Sequence, residues 1–166
     1  LLNDNDATFG NAVGTDCAFG ASSTRKVAGE DFYAVMTDAD HTPLVQFDKQ
    51  GKRRVVLPFD GAIFGFDLHG DTAYLIAMKD MQLQEIYQAD LKTGELVQCS
   101  HFNQAALQDH YVALPERLDY AETPDRLWGW VLKPKDYDPS KIYPAILDIH
   151  GGPRAAYGPI FYPEMQ

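Results

Sequence analysis

Two stretches of this chain match each other at a fixed distance. Gly29-Glu30-Asp31-Phe32-Tyr33-Ala34-Val35-Met36 returns as Gly70-Asp71-Thr72-Ala73-Tyr74-Leu75-Ile76-Ala77, with Gly29 to Gly70 and Tyr33 to Tyr74 both 41 residues apart. The offset then grows slightly, since Asp48 to Asp90 is 42 residues and Gly51 to Gly94 is 43. A period of about 40–45 residues with four short strands per unit is the spacing of β-propeller blades. An ordinary β-sandwich built from two hairpin pairs is the competing architecture, but a sandwich need not repeat its turn residues at one spacing.

The second unit shows the pattern best. Strands are expected over 61–68, 72–78, 83–90 and 95–100, separated by the turns His69-Gly70-Asp71 and Asp90-Leu91-Lys92-Thr93-Gly94. The 72–78 run is apolar on both faces, as a strand sandwiched between two neighbouring sheets would be. The first unit predicts strands near 31–37, 43–48 and 52–57, with Asp48-Lys49-Gln50-Gly51 as its last turn and an innermost strand within 12–20. Two such units cannot close a ring. Open faces would then invite homo-oligomers or edge-to-edge self-association.

Composition narrows the partners. The 166 residues are 45% hydrophobic and 23% charged, as in a globular protein, and 14 basic against 24 acidic residues leave a net charge of −10. A polyphosphate backbone would be repelled by that field, so no nucleic acid is expected. No apolar run reaches the roughly 18 residues of a membrane-spanning helix, so no membrane partner is expected either. Cys17 and Cys99 read as two reduced thiols in the core rather than a disulfide framework. The start, Leu1-Leu2-Asn3-Asp4-Asn5-Asp6, has neither a basic nor an apolar region of a signal peptide, and reads as the interior of a longer protein.

From residue 101 the character changes. Asn103-Gln104-Ala105-Ala106-Leu107 suits a helical turn, Pro115 and Pro124 punctuate a crossing segment, and strands are expected over about 116–122, 127–133 and 143–149. The last, Tyr143-Pro144-Ala145-Ile146-Leu147-Asp148-Ile149, is apolar enough for an inner strand of an α/β sheet and runs directly into His150-Gly151-Gly152-Pro153. Glycines at the carboxyl end of such a strand let the chain turn sharply and present bare backbone N–H groups. In α/β-hydrolases the loop after the third strand supplies one donor of the oxyanion hole. Pro153 has no N–H, which leaves Gly152, or else Gly151, as the donor, while His150 and Pro153 shape the loop. A purely structural glycine turn is the alternative. Arg154 and Tyr157 follow closely enough to line a substrate cleft, although Tyr157 could equally pack beneath the loop.

These stretches carry a resemblance. Trp128-Gly129-Trp130-Val131-Leu132-Lys133-Pro134, the run Tyr143 to Pro153, and Phe161 with Glu164-Met165-Gln166 resemble the start of the catalytic domain of the prolyl oligopeptidase family, in its acylaminoacyl-peptidase and dipeptidyl-aminopeptidase-like branch. The family places a propeller ahead of its hydrolase sheet, which matches the order here. Asp125-Arg126 departs from it, where the family usually shows an Asp-Gly turn. The resemblance implies a partial propeller over 1–114 and the first strands of an α/β-hydrolase domain over 115–166. It implies a cytoplasmic serine peptidase that uses a Ser-His-Asp triad, needs no cofactor and removes short N-terminal units from small peptides.

The triad itself is not expected in this chain. Ser22, Ser23, Ser100 and Ser140 are its four serines, and none lies in G-x-S-x-G. The family's nucleophile, acid and base all follow the His-Gly-Gly-Pro loop, so the isolated chain is expected to be inactive. A self-contained, non-catalytic β-rich binding module is the alternative from another class. No metal site is expected, because His41, His69, His101, His110 and His150 show no ligand pairing, and the Asp38/Asp40 pair reads as solvated turn residues. Lys52-Arg53-Arg54 reads as a solvated basic face.

Overall fold

The structure, a computed structural model, describes residues 7–18, 20, 23–120, 127–152 and 154–166. It is mostly β, in antiparallel sheets that do not close. The first sheet contains β1 (Ala7–Phe9), β2 (Arg25–Ala28), β3 (Asp31–Asp38), β4 (Leu44–Phe47) and β5 (Arg53–Leu57). The second follows chain order, with β6 (Ala62–His69), β7 (Thr72–Met78), β8 (Glu85–Asp90) and β9 (Leu96–Gln98).

The sequence repeat is a repeat of geometry. Gly29 and Gly70 occupy the same place in the β2–β3 and β6–β7 hairpins, at φ of 64° and 58°, where a side chain would be strained. Tyr33 faces Gln46 across one sheet and Tyr74 faces Gln88 across the other. The last turns also correspond. Asp48 Oδ1 accepts from the N–H groups of Gln50 and Lys52, and Asp90 Oδ1 accepts from those of Lys92 and Thr93. Each turn closes on a glycine of positive φ, Gly51 at 78° and Gly94 at 76°. The extra residue in the second turn accounts for the lengthening of the period from 42 to 43.

The innermost strand of the first unit differs from expectation. No named strand lies within 12–18; β1 and β2 instead share one edge of β3, β1 opposite Met36–Asp38 and β2 opposite Asp31–Ala34. Between them the chain leaves the sheet at Gly10, whose φ is 91°. Residues 12–17 then serve the far end of the chain: Val13 bridges Ala156 and the Thr15 hydroxyl donates to the carbonyl of Phe161.

The main core lies between the sheets, with Val35, Leu44 and Leu57 on one side and Phe66, Leu75 and Tyr87 on the other. Phe59, in the connection between the two sheets, meets Tyr87 edge-on at 6.2 Å. Strict alternation along β7 sends Ala73, Leu75 and Ala77 into this core. Tyr74 and Ile76 face outward, 44% and 37% exposed, so this apolar strand is covered on one face rather than both.

Beyond β9 come the single turn α1 (Gln104–Leu107) and an antiparallel ribbon of β10 (Glu116–Asp119) with β11 (Trp128–Val131). The turn and both strands lie where the sequence predicts them, each strand shorter than expected. The run 143–149 is the clear correction. It forms no strand, and Ile146, Leu147 and Ile149 are 98%, 84% and 77% exposed. An inner strand needs hydrogen-bonding neighbours, and β10 and β11 pair only with each other among the described residues. The chain ends in a 3-10 turn at Pro163–Met165. Ile160 and Tyr162 pack against Val13, Ala62 and Met78. No described helix is long and apolar enough to cross a membrane.

Candidate functional site

The apolar run delivers the chain to a loop that is tied off at its base. Asp148 begins it, and its Oδ1 accepts a 3.0 Å hydrogen bond from the hydroxyl of Tyr157, nine residues later. Between them lie His150, Gly151, Gly152 and Arg154, all exposed, with Pro153 outside the described residues. His150 Nδ1 lies 2.7 Å from the carbonyl oxygen of Gly151. The imidazole meets the Tyr157 ring edge-on, 5.6 Å between centroids and 88° between planes. His150 thus borders both the Gly151 carbonyl and the Tyr157 ring.

Gly151 and Gly152 show what the loop can offer. A Cβ on Gly151 would meet nothing within 4 Å, and one on Gly152 only the backbone nitrogen of Arg154 at 3.9 Å. Neither glycine has positive φ. Their N–H groups have no hydrogen-bond acceptor among the described residues. Two open amides in successive residues of an exposed loop can donate to an anionic or carbonyl oxygen.

Tyr157 is the residue on which this corner is built. Its ring stands edge-on to Tyr162 at 5.2 Å, and its carbonyl oxygen accepts from Trp130 Nε1 at 3.2 Å. Burial, and then the hydrogen bond to Asp148, raises the Tyr157 phenol above its ordinary value of 10. Burial pushes Tyr162 up to about 12. Both phenols thus stay neutral near pH 7, Tyr157 donating to Asp148 and Tyr162 accepting from the N–H of Gly158 at 3.0 Å. The contacts of Tyr157 are thus with Asp148, His150, Tyr162 and Trp130.

Gly158 explains why the segment after the loop cannot drift. A Cβ there would lie 2.1 Å from the carbonyl oxygen of Asp40 and 2.8 Å from Val13 Cγ1. The Ala156 N–H donates to Ala12 at 3.0 Å on the same side. The loop's exit is therefore clamped to the first sheet's Asp38–His41 turn and to the 12–17 segment.

That turn corrects another expectation. Asp40 is not solvated but 8% exposed. Its carboxylate takes Arg117 Nη1 at 2.9 Å and lies 3.1 Å from His41 Nδ1. The His41 hydrogen bond and the Arg117 charge outweigh burial and lower Asp40, while Asp40 raises His41. Arg117, on β10, also pairs with Asp119 and stacks over Trp128 and Trp130 at 5.1 and 5.9 Å. Sequence reasoning singled out neither Asp148, Trp130, Tyr162 and Gly158 nor the Asp40–Arg117 pair. Trp130 and Asp148 entered only as members of the family-like stretches 128–134 and 143–153.

The serines have other employment. Ser100 donates to Glu85, Ser140 to Asp138 and Ser23 to the carbonyl of Arg25, while Ser22 lies outside the described residues. No described serine hydroxyl is hydrogen-bonded to a histidine. The departure at Asp125-Arg126 also falls outside the described residues. Cys17 and Cys99 are both free thiols, but the expected core placement is corrected: Cys17 is half-buried and Cys99 exposed.

Comparison with known proteins follows this geometry. No family model matches the chain. It is 29% identical over 168 aligned residues to an uncharacterized peptidase, YuxL, of Bacillus subtilis, covering 97% of this chain and 25% of that protein. It is 32% identical over 92 residues to dipeptidyl-peptidase 5 of Porphyromonas endodontalis, covering 55% of this chain and 13% of the relative. Among solved structures, an acylaminoacyl peptidase in complex with Z-Gly-Gly-Phe-chloromethyl ketone superposes over 99% of this chain and 24% of its own, with a TM-score of 0.75 at 22% identity. The Pyrococcus horikoshii acylaminoacyl peptidase matches 87% of this chain and 22% of its own, with a TM-score of 0.71 at 24% identity. The chain thus spans about a quarter or less of the proteins it matches. Its relatives are peptidases and its structural neighbours are acylaminoacyl peptidases, consistent with a segment of the prolyl oligopeptidase family.

Proposed function

We propose that this chain is part of a cytoplasmic serine exopeptidase that removes short N-terminal units from small peptides by acyl-enzyme chemistry. The observation that carries this reading is the pair of open amides at Gly151 and Gly152, on a loop that follows an apolar run in a chain whose relatives are peptidases. Attack by a serine hydroxyl on a peptide carbonyl places negative charge on the carbonyl oxygen. The Gly152 N–H, or that of Gly151, donates to this oxygen, and one such donor is worth about 2.7–4 kcal/mol in the transition state. His150 and Pro153 shape the loop, and Arg154 borders the substrate cleft.

Residues 1–114 are read as about two blades of a propeller, and 115–166 as the first strands of an α/β-hydrolase sheet. The repeated hairpins support the first assignment. The open side of the second sheet, with Tyr74, Ile76, Ile86 and Val97, offers the apolar face on which another blade would stack. The 143–149 run supports the second assignment, as a strand whose sheet partners lie elsewhere in the protein. The serine, aspartate and histidine of the triad follow Gln166 in this reading, so the 166 residues alone are inactive.

Fluorophosphonate labelling tests it on two proteins: this chain, and the same reading frame extended upstream and beyond Gln166. Labelling of the extended protein alone is the expected result. An unlabelled extended protein removes the peptidase mechanism and favours the non-catalytic binding module, and labelling of the short chain would make one of its four serines the nucleophile.

A further inference from the structure

We infer that Tyr157 is a positioning residue for the amides of Gly151 and Gly152, an inference that rests on the peptidase reading above. The loop from Asp148 to Tyr157 holds both amides at its exposed tip, where the His150 ring, 2.7 Å from the Gly151 carbonyl oxygen, borders the peptide plane that carries the Gly152 N–H. Its two ends are joined by one side-chain hydrogen bond, from the Tyr157 hydroxyl to Asp148 Oδ1 at 3.0 Å. The Tyr157 ring also walls the His150 imidazole edge-on at 5.6 Å, one residue before Gly151.

Tyr157 is anchored on the other side. Trp130 Nε1 donates to its carbonyl, Tyr162 packs against its ring, and Gly158 beside it has no room for a Cβ against Asp40. The phenol thus transmits a fixed backbone position to Asp148, at the entrance of the loop, and its ring to His150. The entrance run is exposed and the exit is clamped, so the hydroxyl is the link that registers one against the other. An oxyanion donor must point at where charge develops, and a misdirected donor weakens the transition state more than the ground state.

The test uses the extended peptidase and the substitution Tyr157→Phe, which keeps the ring and removes only the hydroxyl. A lost hydrogen bond to a carboxylate predicts a kcat about 10-fold lower, with KM within about 2-fold of wild type. Asp148→Ala should lower kcat equally, Asp148→Asn should restore most of it by keeping an acceptor oxygen, and Y157F/D148A should be no worse than either single change. Hydrogen exchange of the 148–157 peptide, read on the same proteins, should quicken about 10-fold in Y157F and D148A. An active wild type with kcat and loop exchange unchanged in Y157F overturns this assignment alone, as would fully additive effects in the double variant. A wild type that hydrolyses no peptide overturns the peptidase reading and this assignment with it.

Discussion

Two apolar runs of equal length meet opposite fates in this molecule. β7 is hydrophobic from Ala73 to Met78 and sits at the heart of a sheet, with Leu75 1% exposed. The 143–149 run is as hydrophobic and stays in solvent, with Ile146 98% exposed. The difference is in the neighbours. β7 pairs with β6 and β8, its nearest neighbours in sequence, through turns of a few residues closed by Gly70 and by the Asp80–Gln84 connection. The 143–149 run follows the β10–β11 ribbon, and among the described residues those two strands pair only with each other. Hydrophobicity decides that a strand wants burial; the topology within reach decides whether it gets it.

The sharpest way to break this contrast is to remove the side chain that β7 buries best. Leu75→Ala should cost about 2–5 kcal/mol in a urea unfolding transition, because the site is enclosed by two sheets and cannot collapse. A loss below about 0.5 kcal/mol would mean that the inter-sheet core is not close-packed and that the two regions differ less than they seem to.

The second effect concerns how the sheets end. Glu85, at the start of β8, is 2% exposed. Its carboxylate accepts from the Ser100 hydroxyl, from the N–H groups of Phe102 and Asn103, and from Asn103 Nδ2. Burial pulls its pKa up, but these donors prevail and hold it below its ordinary value of 4.5. A depressed carboxylate stabilises the fold above its unfolded pKa, and that contribution is lost as pH falls through the folded value. The Glu85 contribution should therefore be level above about pH 4.5 and decline below it, with a shallower acid-side decline in Glu85→Gln. Glu85→Ala should cost about 1–3 kcal/mol at pH 7, since four donors lose their acceptor.

The two regions were also unequally legible in the sequence. Turn chemistry is local, so Gly29, Gly70, Asp48 and Asp90 announced their hairpins, and the strands of both units fall within a few residues of expectation. The split edge made by β1 and β2 was hidden, because it depends on residues 12–17 being drawn to Ala156 and Phe161, some 145 positions away. Asp40 looked like a solvated turn residue for the same reason, since its partner Arg117 is 77 residues distant. At the loop, the glycines could be read from their chemistry. The Tyr157–Asp148 tie could not, because two polar residues nine apart in an irregular segment have no periodicity to betray a contact.

The Asp40–Arg117 pair is one place where the early sheets meet the later segment, and it gives a smaller effect. Asp40 is well buried whereas the Arg117 side chain is 43% exposed, so solvent screens part of the attraction. A double-mutant cycle on D40A and R117A should yield a coupling of about 1 kcal/mol. His41 adds a pH signature of opposite sign to that of Glu85. Asp40 raises it above its ordinary 6.5, so its contribution is present below pH 6.5 and fades as pH rises through the folded value. In D40A that loss at rising pH should disappear. No coupling in the cycle would mean that the β10–β11 ribbon is held to the first sheet by its tryptophans rather than by charge.

The smallest expected effect tests the contrast from its other side. Ile146→Ala in this chain removes a side chain that touches almost nothing, and should change stability by no more than about 0.5 kcal/mol. In the extended peptidase proposed above, the same residue would belong to an inner strand of a completed sheet. There the substitution should cost about 2–5 kcal/mol, as large an effect as that of Leu75→Ala. The residue, the substitution and the denaturant are unchanged between the two experiments, so the difference isolates what the neighbouring strands contribute. An equal and negligible cost in both proteins would show that residues 143–149 are no strand in either. Gly151 and Gly152 would then stand on an irregular surface segment rather than at the carboxyl end of a buried strand, and the oxyanion role proposed for them would lose its scaffold.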